Sequence, residues 1–71
     1  MRCRVETYSG FRLHEYPRRF TWGDGWLEVH GIVARWITPG GLGFKVQAGE
    51  RLFLLKHHQV QDLWEVALIS P

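Results

Sequence analysis

Between Tyr16 and Trp26 the sequence reads Y-P-R-R-F-T-W-G-D-G-W, placing aromatic rings, guanidinium groups and a glycine turn side by side. Rings stack on bases and guanidinium groups hold phosphates, which is how many small domains bind single-stranded nucleic acid. The same residue types also build the inward face of a β-hairpin. On strand alternation Phe20 and Trp22 share a face and read as core. Arg18, Arg19 and Trp26 remain for function. Trp26 has parity opposite to Leu27 and Val29 and is expected half exposed beside the turn. Further along, Trp36 stands next to Arg35. The candidate binding residues are therefore Arg18, Arg19, Trp26, Arg35 and Trp36. The competing reading for both tryptophans is that they cover the ends of a thin core, because small domains recruit every large ring available.

Catalytic chemistry has no comparable footing. His57 and His58 are adjacent, so on a strand their imidazoles point to opposite faces and do not share one metal. His14, His30 and Cys3 lack the close spacing of a zinc site, and the histidines read as surface or rim residues. Gly40-Gly41-Leu42-Gly43 lacks the lysine and the Ser/Thr of a phosphate loop, and no helix follows it. Cys3 has no base beside it and sits at a core position by parity. Trp64, alternating with Val66 and Leu68, also reads as core. No pair of carboxylates is placed for acid–base work. The expectation is a non-enzymatic chain that uses no metal or cofactor.

The chain must therefore place a few exposed side chains on a small scaffold. It has 71 residues and one cysteine. A domain of this size buries only about 60% of its unfolded surface, and no intrachain disulfide can help. Large rings are the remaining compensation: four Trp, four Phe and two Tyr. Net charge is +2, with residues 1–19 at +3 and residues 20–71 at −1. This positive bias is mild and does not by itself argue for nucleic acid. No apolar run exceeds four residues, as at Leu52 to Leu55, far short of the ~20 residues of a membrane span. No signal peptide is expected at the basic start. The lone cysteine fits a reducing cytoplasm.

Periodicity of two dominates, and helix signals are weak. Arg2 to Tyr8 reads as a half-buried strand with Cys3, Val5 and Thr7 on one face. Ser9-Gly10 is a turn, and Phe11 to His14 alternates again. Pro17, lacking an N–H, belongs at a strand start or edge. Arg18 to Trp22 is a strand, Gly23-Asp24-Gly25 a hairpin loop, and Trp26 to Ile37 one long strand. Within it, Leu27 and Val29 give way after Gly31 to Ile32, Ala34 and Trp36, of opposite parity. A glycine at such a switch marks a bulge or bend, and a bent strand can serve two sheets. Pro39-Gly40-Gly41 is a loop. Leu42, Phe44, Val46 and Ala48 line one face of the next strand, with Lys45 and Gln47 opposite. Gly49-Glu50 is a two-residue hairpin turn. Arg51 to His58 and Leu63 to Ile69 are strands joined by a turn over Gln59 to Asp62, where a short helical turn is an alternative. The pattern predicts an all-β fold: a single domain over residues 1–71, formed as a small five- or six-stranded antiparallel SH3-like barrel with one long bent strand, Trp26 to Ile37.

Pro17-x-x-Phe20-x-Trp22-x-x-Gly25-x-Leu27-x-Val29, then Trp36 and a closing Trp64-x-x-x-Leu68, resembles a family of small uncharacterised bacterial β domains. Their members read P-x-x-F-x-W-x-G-x-x-Y-x-V and end in a W-x-L strand. The resemblance covers residues 17 to 69, with the turn glycine shifted by one and Leu27 where an aromatic is usual. It implies the fold more than an activity, since the motif consists mainly of hairpin and core residues. Some members accompany DNA-repair polymerase-like proteins. The functional expectation is a binding module for single-stranded nucleic acid. The alternative is a protein-interaction module, or self-association as a weak homodimer through a sheet edge, for which Leu52 to Leu55 is the suspected edge. No membrane partner is expected.

Overall fold

A computed structural model of the chain describes residues 1–8 and 16–70. The expected turn at Ser9-Gly10, the alternating stretch Phe11 to His14 and His14 itself lie outside the described residues. Among the described residues eight strands form: β1 (Arg2–Cys3), β2 (Val5–Thr7), β3 (Pro17–Trp22), β4 (Gly25–Glu28), β5 (Gly31–Thr38), β6 (Gly41–Ala48), β7 (Arg51–His58) and β8 (Leu63–Ser70). They make two antiparallel sheets, one ordered β1-β8-β7-β6-β5 and the other β2-β3-β4. The all-β class is as the alternation predicts.

The strand count exceeds five or six because two expected strands each break at a corner. The first, Arg2 to Tyr8, breaks at Arg4. Its first half pairs with β8 and its second with β3. The long strand Trp26 to Ile37 likewise breaks at Val29 and His30. Here β4 stays with β3, and β5 joins β6. The corner's backbone is satisfied from both sides: Val29 N–H donates to the Arg18 carbonyl at 2.9 Å, and His30 N–H to the Gln47 carbonyl at 2.7 Å. Both backbone donors of the corner are thereby paired. Both edges of the three-stranded sheet thus run on along the chain into the edges of the five-stranded one. The hydrogen-bonded ladder does not close into a barrel among the described residues.

Between the sheets lie Phe20, Phe44, Val46, Ala48, Phe53, Leu55, Trp64 and Val66, all buried. Their alternation along β6 and β8 is the predicted one, except that Leu68 is 39% exposed. Phe53 is the bridge between layers. It meets Phe20 and Trp22 of β3 edge-on, each with ring centroids 5.1 Å apart. Edge-to-face pairs add about 0.5–1.5 kcal/mol each beyond the area they bury. Pro17 opens β3, where no ladder donor is needed, and is buried.

Turns hold the strands in register. Gly23 and Gly49, at φ 61° and 62°, take the first position of two-residue hairpin turns. That position of a type II′ turn demands positive φ. Gly41 is needed for a different reason. A Cβ there would run into the backbone carbonyl of His57 on the neighbouring strand.

Gln59 to Asp62 is the expected turn, and the helical alternative does not form, with Asp62 at φ 50°. Three local expectations are corrected. His57 is buried, 3% exposed, instead of lying on the surface or rim. Its ring stacks on Trp64 at 4.5 Å, and its Nε2 donates to Asp62 Oδ1 at 3.0 Å. Leu52 to Leu55 is not a sheet edge, because β7 lies in the centre of its sheet with β6 and β8 on either side. Finally, Ile32, Ala34 and Trp36 do not share a face. The β5–β6 register slips between Ile32 and Ala34, leaving Val33 as the extra residue. Ile32 faces the core opposite Val46, while Ala34 and Trp36 pair with Lys45 and Gly43 on the outer side.

Candidate functional site

Each sheet has one face turned away from the core, and the two faces differ in charge. The outer face of the three-stranded sheet carries Arg4, Glu6, Arg19, Thr21, Trp26 and Glu28. Cross-strand pairing sets Glu6 and Glu28 on either side of Arg19, and Thr21 opposite Trp26. Arg19 donates from Nε and a terminal nitrogen to both carboxylate oxygens of Glu6, each at 2.8 Å. This two-pronged bond holds the Glu6 carboxyl below the usual carboxylate range and raises Arg19. The Arg19 guanidinium also lies over the Trp26 ring at 4.6 Å, and Arg4 lies over the same ring at 5.6 Å. Two cations and two anions balance on this face. Its tryptophan is already covered by its own arginines, and its best phosphate-binding fork is already on a carboxylate.

The outer face of the five-stranded sheet is different. One row of cross-strand partners runs Trp36, Gly43, Lys56, Glu65, Arg2, one residue per strand from β5 to β1. The adjacent row runs Ala34, Lys45, Leu54, Ala67. Residues in such rows share a face. Trp36 is 37% exposed. Its indole packs on Gly43, with Cε2, Nε1 and Cζ2 at the place a Cβ would occupy. Lys45, Lys56 and Arg2 are the cations here. The one carboxylate in these two rows, Glu65, accepts a 2.6 Å hydrogen bond from His58 Nε2. That bond lowers the Glu65 pKa. Beside this row lies a depression of about 150 Å³ lined by Met1, Leu54, Lys56, Glu65, Val66 and Ala67.

The five residues singled out in the sequence are not brought together. Arg19 and Trp26 meet on the balanced face. Arg18 is exposed on β3, with its carbonyl held at the corner. Arg35 lies over the Tyr16 ring at 5.3 Å and donates to its hydroxyl at 3.4 Å. Trp36 stands alone among the five on the five-stranded sheet's outer face. The residues that surround it, Gly43, Lys45 and Lys56, escape sequence reasoning. Alternation does put Lys45 outside, but only the pairing register shows which strand positions lie in one row.

Cys3 is half-buried, and that burial pushes its thiol up to about 11. Among the described residues no group of three or more His, Cys, Asp or Glu is placed to hold a metal ion. A second depression, of about 330 Å³, is lined by Cys3, Arg4, Val5, Asp62, Leu63 and Trp64. Its charged members are of opposite sign, and the Asp62 carboxylate is engaged by His57. No helix among the described residues is long and apolar enough to cross a membrane. Comparison with known protein families, curated proteins and solved structures finds no match for this chain.

Proposed function

We propose that this chain is a small non-catalytic module that binds single-stranded nucleic acid on the outer face of its five-stranded sheet. The observation that carries the reading is Trp36, 37% exposed with its indole on Gly43, with Lys45 on the neighbouring strand and Lys56 on the strand beyond. An exposed ring beside cations is the stacking platform such modules use, and stacking tolerates any base. The resemblance read from residues 17 to 69, to a family some of whose members accompany DNA-repair polymerase-like proteins, is taken as support for it. On this proposal the two sheets, joined by chain at both edges, are read as an SH3-like barrel.

The test is an amide and indole NMR titration with mixed-sequence single-stranded DNA and RNA at low and physiological salt. The Trp36 indole and the Lys45 and Lys56 amides shift, and the Trp26 indole does not. With Lys45, Lys56 and Arg2 as the phosphate contacts, the slope of log K against log salt is about −2. Absence of any shift at low salt removes the proposal.

A second reading is favoured by β5 itself. It is an edge strand, flanked only by β6 among the described residues. Val33 and Ile37 are exposed on it, Ile37 by 84%. A long apolar edge is a template for another strand, and a second copy of the chain pairing along β5 would cover it. Sedimentation over a wide concentration range decides this, since a monomer mass throughout removes it.

A further inference from the structure

Resting on the nucleic-acid reading, we infer that the bound strand crosses the five-stranded sheet along the row from Trp36 to Arg2, with one base on Trp36 and another in the depression between β7 and β8. The two seats are built differently but lie on one line. The first is the partly exposed Trp36 indole, carried by β5 and packed on Gly43. The second has an apolar floor, Leu54 and Ala67, with Lys56 and Glu65 on its rim. Gly43 has no side chain, so nothing of that row rises between the indole and Lys56. Lys56 sits between the two seats, where it meets the phosphate that links the bases. Arg2, directly beyond Glu65 on β1, meets the next one.

Spacing then selects the ligand. Neighbouring strands lie about 4.8 Å apart. The indole lies over Gly43 of β6, and from there to the gap between β7 and β8 is one and a half such steps, roughly 7 Å. Stacked nucleotides advance only about 3.4 Å each, so a stacked strand cannot put neighbouring bases in both seats. The bases must be splayed apart, which a single strand permits and a duplex does not. The site is therefore short, on the order of two or three nucleotides, at the small end for sheet-based binders.

The experiment measures binding of oligothymidylates, from the mononucleotide upward, to the native chain and to Trp36→Ala, Ala67→Glu and Trp26→Ala, by fluorescence anisotropy. Ala67 is exposed, so a carboxylate there fills and charges the second seat without entering the core. The expected result is affinity that climbs steeply from one nucleotide to three and then levels. Trp36→Ala lowers it five- to hundredfold at every length. Ala67→Glu reduces the longer oligomers toward the mononucleotide's affinity, and Trp26→Ala changes nothing. An amide spectrum as dispersed as the native one shows that each variant is folded. If oligomers bind but neither Trp36→Ala nor Ala67→Glu matters, the track is wrong while nucleic-acid binding stands. If no length binds at low salt, both fall.

Discussion

Replacing Gly43 by alanine isolates the contact on which the candidate site depends. A Cβ at residue 43 would meet Cε2, Nε1 and Cζ2 of Trp36, all atoms of a rigid ring. The indole must lift. Trp36 is 37% exposed, so roughly two-thirds of it is covered, about 150 Å² on the scale of buried aromatics. Lifting that uncovers half of this area costs about 2 kcal/mol at ~25 cal/mol per Å². Removing a strand glycine offsets about 0.5–1 kcal/mol of that. The net effect is a loss of about 1 kcal/mol, which lowers a urea midpoint by about 1 M for a small domain. In a Trp36→Ala background the clash is gone, and the same Gly43→Ala change becomes stabilising by about 0.5–1 kcal/mol. The coupling between the two positions is therefore about 2 kcal/mol, measured as a double-mutant cycle in urea. An equal effect of Gly43→Ala in both backgrounds would show that the indole does not rest on residue 43.

Gly41→Ala is expected to be more damaging, because the Cβ meets the His57 carbonyl, a backbone atom of the paired strand β7. A loss of about 2–3 kcal/mol should appear as a lowered midpoint that no second-site side-chain truncation restores. Stability should fall on acidification. Glu6, bonded by Arg19, and Glu65, bonded by His58, both have depressed pKa values when folded. Their contribution is complete above the ordinary carboxylate range and is lost as pH falls through the lowered values. Glu6→Gln should therefore flatten the acid limb of a midpoint-against-pH curve, and an unchanged limb would contradict the Arg19 assignment. Cys3, with its thiol raised from 9.0 to about 11 by burial, should alkylate about a hundredfold more slowly in the folded than in the unfolded chain near neutral pH. Iodoacetamide kinetics with and without urea measure this.

What could be read in the sequence was whatever alternation and turn chemistry dictate. Phe44, Val46 and Ala48 had to face one way, and Phe20 and Trp64 had to be inside. Gly49-Glu50 had to be a turn, and Pro17 had to start a strand. What could not be read was anything decided by a second strand. The break at Arg4 has no glycine or proline to announce it. The residue is ordinary, and the corner exists because β8 and β3 claim the two halves of one apolar face. The bulge at Val33 is equally silent, since a β-branched residue reads as good strand, and it turns Trp36 outward. His57 looked like surface because it is polar, yet alternation with Phe53 and Leu55 placed it on the core face all along. Arg19 and Trp26 looked available because cross-strand Glu6 is distant in sequence. Charge on a face is a sum over neighbours that only pairing reveals.

The pairing of Arg2 with Glu65 also sets an order of assembly. From β5 to β8 every strand pairs with the next across a turn of two or four residues, so that meander closes with little loop entropy. By contrast, β1 finds β8 only after more than sixty residues of chain have been looped, and such long closures come late. The amides of β1 and β2 should accordingly exchange with solvent faster than those of β6 and β7. The far end of the charged row is then the last part of the sheet to form and the first to open, while Trp36 and Lys56 stay fixed on the part that forms first.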